Sequence, residues 1–152
     1  MKKKTAVCWI LAIVSVGILD AVFKFLANIY LPIDTETSIQ PFFDLALHKN
    51  PGIAFDLPIP LTFVALLTIL ILYLLGRYVH KQAKTQLANA LAALSIFTGA
   101  LGNLLDRLIH GFTTDYLILF ARSAINLSDI LILTGVILLI AYTKRIPNER
   151  NH

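Results

Sequence analysis

Four long apolar stretches dominate the pattern of hydrophobic and polar positions along the chain. They lie at about residues 5–27, 57–76, 87–107 and 123–143. A helix needs about 20 mostly apolar residues to cross the hydrocarbon core of a bilayer, which is about 30 Å thick, because each residue rises about 1.5 Å. The pattern therefore predicts an all-α polytopic membrane protein with four transmembrane helices.

The composition agrees with this prediction and argues against a soluble domain. Of the 152 residues, 57% are hydrophobic and 14% are charged, whereas soluble domains have about 25% charged residues. The single cysteine, Cys8, excludes an internal disulfide and cannot form a zinc site alone. Because no repeat or linker interrupts the chain, residues 1–152 are interpreted as one membrane-embedded domain.

The positive charges predict the orientation of the helices. A net charge of +4 would suit a nucleic-acid partner, but nine of the thirteen Lys and Arg residues lie in three clusters beside apolar stretches. The clusters are Lys2–Lys4; Arg77, Lys81 and Lys84; and Lys144, Arg145 and Arg150. With four spans all three clusters fall on one side of the membrane. The positive-inside rule then predicts cytoplasmic termini, and no nucleic-acid partner is expected.

The start of the chain and the first external connection carry two further expectations. Lysines followed by an apolar run resemble a secretory signal peptide, but without a small-residue cleavage site we expect an uncleaved helix. The connection at residues 28–56 is too long for a simple turn, and its segment 39–48 has the aromatic and aliphatic content of short paired strands. We expect a small external β element lying on the bilayer, in which Asp34→Asn is nearly silent.

Six ionisable residues lie within or beside the predicted spans, all near the external ends. They are Asp20, Lys24, Asp106, Arg107, Asp115 and Asp129. A charged side chain near the bilayer centre costs about 2.5–3.5 kcal/mol, so each is expected to face a partner or a hydrated cavity. Their common depth predicts one polar site, which also includes Asn50, Asn103 and Asn126.

Helical spacing indicates which of these side chains share a face. Asp20 and Lys24 are four residues apart and are positioned for an ion pair, although anchoring the helix end at the headgroups would require the same residues. Asn103 and Asp106 are three residues apart, and Gly99 one turn earlier permits close approach of a neighbouring helix.

The start of the fourth span repeats the three-residue spacing with Asn126 and Asp129. Hydrogen bonding between helices is an alternative role for the asparagines, and it is compatible with a site. Arg107 has two interpretations: its side chain extends to the membrane surface, or it orients a carboxylate or a substrate carbonyl.

Two carboxylates in one small site can hydrolyse a peptide bond. Since both cannot ionise cheaply, the pair holds one proton; the ionised member deprotonates a water and the protonated member donates to the carbonyl. Asp115 and Asp129 suit this chemistry, which needs no metal or cofactor. The residues alone leave open whether Asp106 replaces Asp115, or whether these are a loop carboxylate and an anion favoured by the helix dipole.

Five short motifs together resemble one family, the bacterial lipoprotein signal peptidases, also called signal peptidase II. In chain order they are Asp20-x-x-x-Lys24, Asn50-Pro51-Gly52-Ile53-Ala54-Phe55, Gly102-Asn103-Leu104-Leu105-Asp106-Arg107, Thr114-Asp115-Tyr116 and Asn126-Leu127-Ser128-Asp129. The resemblance covers nearly the whole chain. Most specific is the Gly102–Arg107 motif, whose Asp106 is followed nine residues later by a second Asp.

The resemblance implies an aspartyl endopeptidase of the bacterial inner membrane. Its substrates would be diacylglyceryl-modified prolipoproteins, which it would cut immediately before the lipidated cysteine. Membrane lipid would surround both the enzyme and its substrate. Asp115 and Asp129 match the catalytic pair of the family, and Asp106 does not. Residues that match the family's supporting or substrate-binding positions are Asp20, Lys24, Asn50, Gly52, Asn103, Asp106, Arg107 and Asn126. A monomer without metal or cofactor, inhibited by globomycin-type cyclic peptides, is expected.

Two positions depart from the family pattern. Ser128 stands where the family usually has Ala, and Phe23 stands where it usually has Ser or Thr. Neither change removes a catalytic group, and Ser128 is positioned to add a hydrogen bond beside the pair. The sequence also leaves two non-catalytic alternatives open, a small transporter or proton-relay subunit and a protein that binds lipoproteins without cutting them. A conduit requires polar groups through the whole membrane depth, whereas these charges lie at one end.

Overall fold

Four helices and one small sheet make up the part of the chain that the computed structural model describes, residues 3–33, 42–52, 59–120 and 123–143. In chain order the elements are α1 Lys3–Tyr30, β1 Phe43–Asn50, α2 Leu61–Gln82, α3 Leu87–His110, β2 Thr113–Leu119, β3 Ser123–Ile125 and α4 Leu127–Thr143. The predicted class, a helical membrane protein with a small β element, is confirmed.

The helices differ in length and in how much of their surface is buried. Helices α1, α2 and α3 are long and apolar enough to cross a membrane, whereas α4 has 17 residues and falls below that length within the described range. Helix α3 is the most buried and packs against all three of the others. The ends of α1 and α3 that carry Asp20, Lys24 and Asp106 therefore meet the start of α4.

Several predicted boundaries are wrong by a few residues. The fourth span does not begin at residue 123, because residues 123–125 form β3 and α4 begins at Leu127. The second begins at Leu61, after Pro60, and runs to Gln82 instead of residue 76. The third continues to His110, where Gly111 ends it in a left-handed conformation with its N–H bonded to Arg107 O. Hydropathy locates the apolar centre of a helix better than its ends.

The β element contains a connection that the sequence did not predict. Strand β1 lies inside the first external connection, but it pairs with β2, which follows α3, in an antiparallel sheet of order β1-β2-β3. The register shifts between Leu45 and His48, so that Ala46 and Leu47 together lie opposite Tyr116. This extra residue is a β-bulge, and bulges commonly redirect side chains beside functional sites. Asp115, expected in a short loop, is thus held in a strand.

Close packing of α3 against α4 depends on glycine, as predicted for Gly99. A Cβ atom added there would overlap the backbone oxygen of Ser128, and one added at Gly102 would lie 2.5 Å from Ser128 Oγ. Because neither glycine has a side chain, the first turn of α4 lies directly against α3. That turn carries Asp129.

Candidate active site

All ten residues singled out from the sequence lie in one hydrogen-bonded network. The network joins the ends of α1 and α3, the first turn of α4, the end of β1 and strand β2. Its predicted members are Asp20, Lys24, Asn50, Gly52, Asn103, Asp106, Arg107, Asp115, Asn126 and Asp129. The sheet supplies Asp115 from one side and the helices supply Asp129 from the other.

Asp115 is buried, and its two side-chain oxygens have separate partners. Its side chain lies on β2 and the residue is 2% exposed. Asn50 Nδ2 donates to Oδ2 at 3.2 Å, and Asn126 Nδ2 donates to Oδ1 at 2.6 Å. One donor comes from the end of β1 and the other from the residue before α4, so both neighbours fix the carboxyl group.

Asp129 lies in the first turn of α4 and is only partly buried. Its Oδ2 accepts the backbone N–H of Asn126 at 3.1 Å, while Asn126 Oδ1 accepts the backbone N–H of Asp129 at 3.0 Å. This reciprocal pair is a capping box, which satisfies two N–H groups that the start of a helix leaves without partners. Asn103 Nδ2 donates to the other oxygen, Oδ1, at 2.8 Å.

Each of the three asparagines has its amide orientation determined by a group that can only donate. Asn50 Oδ1 accepts the N–H of Gly52 at 3.0 Å, Asn103 Oδ1 accepts Lys24 Nζ at 2.7 Å, and Asn126 Oδ1 accepts a backbone N–H. With the oxygen occupied, the NH₂ group must point the other way, toward an aspartate. The three asparagines therefore direct N–H donors at the carboxyl groups of Asp115 and Asp129.

Lys24 is the central cation of the network. Its buried ammonium lies 2.9 Å from Asp20 Oδ2 and 3.9 Å from Asp106 Oδ2, and it donates to Asn103. A buried charge is costly unless it is paired and hydrogen-bonded. Here the two carboxylates pair with the ammonium, and Asn103 accepts its hydrogen bond. Asn103 then links the ammonium to Asp129.

Asp106 secures the start of β2. Its Oδ2 accepts the backbone N–H of Thr114 at 2.5 Å, and its Oδ1 accepts Thr114 Oγ1 at 3.2 Å and lies 2.7 Å from His110 Nδ1. These contacts tie the end of α3 to the residue immediately before Asp115. Asp106 faces the backbone of this turn, and its oxygens are occupied there.

Arg107 connects α3 to the turn after β1. Its Nη2 donates to the backbone oxygen of Gly52 at 3.1 Å, and its Nη1 lies 3.5 Å from Asn103 O. Its Nε is buried and has no hydrogen-bond partner among the residues that the structure describes. The guanidinium group is thus held against the turn after β1, in a half-buried position.

The electrostatics of the site favour a proton on Asp115. Burial raises the pKa of its carboxyl group to about 7, and the nearby carboxylate of Asp129 adds to the rise. Hydrogen bonds from Asn50 and Asn126 and the charge of Lys24 act in the opposite direction. Asp115 therefore stays protonated at pH values where an ordinary aspartic acid is fully ionised.

The sequence predicted a hydrogen bond from Ser128 beside the aspartates, but it indicated neither the partner of that bond nor the roles of Thr114 and Tyr116 in this network. Thr114 and Tyr116 flank Asp115, and Ser128 precedes Asp129. Tyr116 OH and Ser128 Oγ both donate to Asp20, at 2.9 and 2.6 Å. In the sequence, a residue with a hydroxyl group stands next to each aspartate. The hydrogen bonds of Tyr116 and Ser128 to Asp20 become visible in the folded chain.

Within residues 3–33, 42–52, 59–120 and 123–143, no three His, Cys, Asp or Glu side chains are arranged to hold a metal ion.

Comparisons with known proteins find similar sequences along nearly the whole chain. The family model described as signal peptidase (SPase) II matches residues 12–145. A lipoprotein signal peptidase of Coxiella burnetii (strain Dugway 5J108-111) is 29% identical, covering 98% of this chain and 97% of the relative. One of Francisella tularensis subsp. novicida (strain U112) is 33% identical, covering 90% of this chain and 92% of the relative.

Solved structures extend the similarity to the fold. Two structures described as bacterial membrane enzymes superimpose with TM-scores of 0.82 and 0.77, at 27% and 28% sequence identity. The first covers 100% of this chain and 94% of the solved chain, and the second covers 95% and 96%. From the match along most of its length, the chain belongs to the signal peptidase II family.

Proposed function

We propose that this protein is an aspartic endopeptidase that removes signal peptides from lipid-modified prolipoproteins. The bond cut would be the one immediately before the lipidated cysteine. Membership of the signal peptidase II family supports the peptidase activity, and relatives named lipoprotein signal peptidase support the substrate class. The observation that carries the catalytic assignment is the buried Asp115, joined through Asn126 to the more exposed Asp129.

The two aspartates take different roles because their surroundings differ. Asp115 keeps its proton and donates it to the oxygen of the scissile carbonyl. Asp129, more open and hydrogen-bonded by Asn103 and a backbone N–H, is the carboxylate that accepts a proton from the attacking water. Each aspartate accepts from two donors, but the greater exposure of Asp129 favours its ionised form over that of the buried Asp115.

Each proton in the reaction has a source and a destination. The water oxygen bonds to the carbonyl carbon as one water proton moves to Asp129 and the Asp115 proton moves to the carbonyl oxygen. Collapse of the tetrahedral intermediate breaks the C–N bond. The amine then takes the proton held by Asp129, and Asp115 recovers its own from the intermediate. Neither a metal nor a covalent intermediate is required.

The lipid part of the substrate would remain in the membrane beside the sheet. Phe42, Phe43 and Phe120 are 72%, 53% and 65% exposed at the end of the sheet away from Asn50. Exposed apolar side chains that lie close together mark contact sites for lipid or for another protein. We infer that they rest in the headgroup region and guide the lipid-modified segment toward the site.

The proposed orientation follows the charges. The protein would lie in the bacterial inner membrane with both termini cytoplasmic and the aspartates near the external face. In the same proposal, the protein acts as a monomer and is inhibited by globomycin-type cyclic peptides. A transporter would require polar groups through the whole membrane depth, whereas Asn89, buried near the opposite end of α3, is bonded locally to Gln86 among the described residues. The polar groups form a cap instead of a path.

Neutral variants of the aspartates test the proposal directly. Asp115→Asn and Asp129→Asn keep the shape of each side chain but remove the proton donor or the base. Each is expected to lower the rate of cleavage by at least about 100-fold. The measurement is release of the signal peptide from a diacylglyceryl-modified prolipoprotein by protein purified in detergent.

Asp44→Asn is the matched control for these variants. Asp44 is also on the sheet, at the opposite end of β1 from Asn50. Cleavage by this variant is expected at the wild-type rate. Full processing by either Asp115→Asn or Asp129→Asn would refute the catalytic pair, and failure of the wild-type protein to cut would refute the substrate class.

A further inference from the structure

Asp20 lies at the junction of three elements and is not part of the catalytic pair. It is 1% exposed, and its Oδ2 lies 2.9 Å from Lys24 Nζ and accepts Ser128 Oγ at 2.6 Å. Its Oδ1 accepts Tyr116 OH at 2.9 Å. One carboxylate on α1 therefore binds a hydroxyl from β2 and a hydroxyl from α4.

The Tyr116 hydroxyl also holds the start of α4. It accepts the backbone N–H of Leu127, the first residue of that helix, at 3.1 Å. This N–H is one of the donors that a helix start leaves without an intrahelical partner. Burial and the charge of Asp20 raise the pKa of the Tyr116 phenol, so its hydroxyl stays protonated and keeps donating to Asp20.

The two residues whose hydroxyls bind Asp20 are sequence neighbours of the catalytic pair. Tyr116 follows Asp115 directly, and Ser128 precedes Asp129 directly. The bulge in β1 lies opposite Tyr116, where two residues of β1 face one residue of β2. Each catalytic carboxyl group is thus next in sequence to a hydroxyl that is bound to the same point on α1.

The hydroxyls also affect how Lys24 is shared. With two hydroxyl donors on Asp20, the ammonium is not the sole partner of that buried carboxylate and also donates to Asn103 at 2.7 Å. Asn103 in turn donates to Asp129. Removing a hydroxyl would leave Asp20 more dependent on Lys24 and draw the ammonium away from Asn103.

We propose that Tyr116 and Ser128 are positioning residues that set the geometry of the Asp115–Asp129 pair through Asp20. The inference depends on the proposed function, because it assigns these hydroxyls to the same reaction. Tyr116 is 4% exposed and Ser128 0% exposed, so substrate cannot reach either hydroxyl without displacing the surrounding protein. Their effect therefore falls on kcat and not on KM.

The test compares Tyr116→Phe and Ser128→Ala with the wild-type protein in detergent, using a diacylglyceryl-modified prolipoprotein as substrate. Each variant removes one oxygen and leaves the rest of the side chain in place. We expect kcat to fall by about fivefold to tenfold in each, since the hydrogen bond lost is to a charged group. KM is expected to stay within about twofold of wild type, as for a change that acts on geometry at the reacting centre.

The double variant gives a second readout. In either single variant the other hydroxyl still holds Asp20, whereas in the double variant Lys24 is the remaining partner of the carboxylate among the described residues. The combined loss of kcat is expected to exceed the product of the single losses by about threefold or more, because the two hydroxyls share a partner. A simple product would contradict a common action through Asp20.

Two variants control for the loss of a hydroxyl itself. Ser95→Ala removes a buried hydroxyl on α3 that donates to Leu131 O of α4 at 2.8 Å, away from Asp20. Tyr73→Phe removes an exposed hydroxyl on α2, bonded only to Arg77 among the described residues. Both are expected to keep the wild-type kcat, although Ser95→Ala is expected to lower the thermal unfolding temperature.

The outcomes separate this inference from the proposed function. Wild-type cleavage with unchanged kcat in Ser128→Ala and Tyr116→Phe would overturn the positioning role and leave the peptidase in place. An equal loss of kcat in Ser95→Ala would also overturn it, since general loosening of α4 would then explain the effect. If Tyr116→Phe does not fold, Ser128→Ala decides alone. A wild-type protein that does not cut this substrate overturns the proposed function.

Discussion

Asn126 shows how one side chain can both begin a helix and serve a catalytic site. Its oxygen caps α4 by accepting the N–H of Asp129, and its amide nitrogen donates to Asp115. Because a single carboxamide joins the two carboxyl groups, their relative position follows from the geometry of the cap. A change at this residue therefore affects stability and catalysis together.

Asn126→Ala is expected to lower the rate of cleavage by at least about 100-fold and the free energy of unfolding by about 1–2 kcal/mol. Both follow because the cap and the donor to Asp115 are lost. The measurements are cleavage of a lipid-modified substrate and thermal unfolding in detergent. Asn89→Ala, which removes another buried asparagine at the far end of α3, should cost stability without costing activity. Wild-type activity in Asn126→Ala would contradict the linkage.

The raised pKa of Asp115 predicts a basic limit to activity. An acid with a pKa of about 7 is protonated below that pH and ionised above it. As the proton donor, Asp115 is competent below about pH 7, so kcat is expected to fall as the pH rises through this value. The measurement is kcat at saturating substrate from about pH 5.5 to about pH 9. A constant kcat over this range would contradict protonated Asp115 as the donor.

The same shift affects stability with a defined sign. Between the ordinary pKa of 3.8 and about 7, folded Asp115 keeps a proton that the unfolded chain has released. Its contribution to stability therefore falls as the pH rises through this interval. Asp115→Asn cannot ionise and lacks this pH dependence, so its unfolding temperature is expected to rise relative to that of wild type by a few degrees between about pH 4 and about pH 8. A difference between variant and wild type that is the same at both pH values would contradict an ionisable, buried Asp115.

At the scale of elements, the contact between α3 and α4 controls where Asp129 lies. Gly99 faces the backbone of Ser128 so closely that an added methyl group has no room, and backbone cannot move aside as a flexible side chain would. The first turn of α4 would have to shift away from α3. Asn103, one turn further along α3, would then lose its alignment with Asp129.

Gly99→Ala is expected to destabilise the protein by about 1–3 kcal/mol and to reduce cleavage by about tenfold or more. Gly76→Ala is the matched control, because the nearest atom to its added Cβ is a Phe97 side-chain carbon at 3.8 Å, an ordinary contact distance. Thermal unfolding and cleavage rate measure the two effects. Unchanged activity in Gly99→Ala would mean that the pair tolerates movement of α4.

The sheet is the part of the protein that differs most from the fold predicted from the sequence. Hydropathy predicts the helices because each is a continuous apolar run, and the charges near their ends predict that a polar site forms there. Strand β2 was not predicted, since its partner β1 is more than 60 residues earlier and pairing at that distance leaves no local pattern. The contact of Tyr116, and the partner of the hydrogen bond expected from Ser128, escaped prediction for the same reason. Their partner, Asp20, is 96 and 108 residues away.

At the scale of the whole molecule, the distribution of polar groups indicates how the protein lies in the membrane. Large apolar side chains project outward along the helices, as at Leu11 of α1, Leu66 of α2 and Leu133 of α4, each more than 60% exposed. Such a surface is stable against lipid and not against water. The sheet and the buried charges lie at one end of this surface, and the basic turn between α2 and α3 lies at the other.

Accessibility of single cysteines tests the resulting orientation. In a Cys8→Ala background, Lys49→Cys places a thiol on exposed β1, and Lys84→Cys places one in the exposed turn between α2 and α3. If the active site faces outward, a membrane-impermeant maleimide added to intact spheroplasts should label only the variant at position 49. Permeabilised membranes should allow labelling of both, which controls for thiol reactivity. Labelling of position 84 alone in intact spheroplasts would show the opposite orientation. The aspartates would then lie on the cytoplasmic side, against the positive-inside rule.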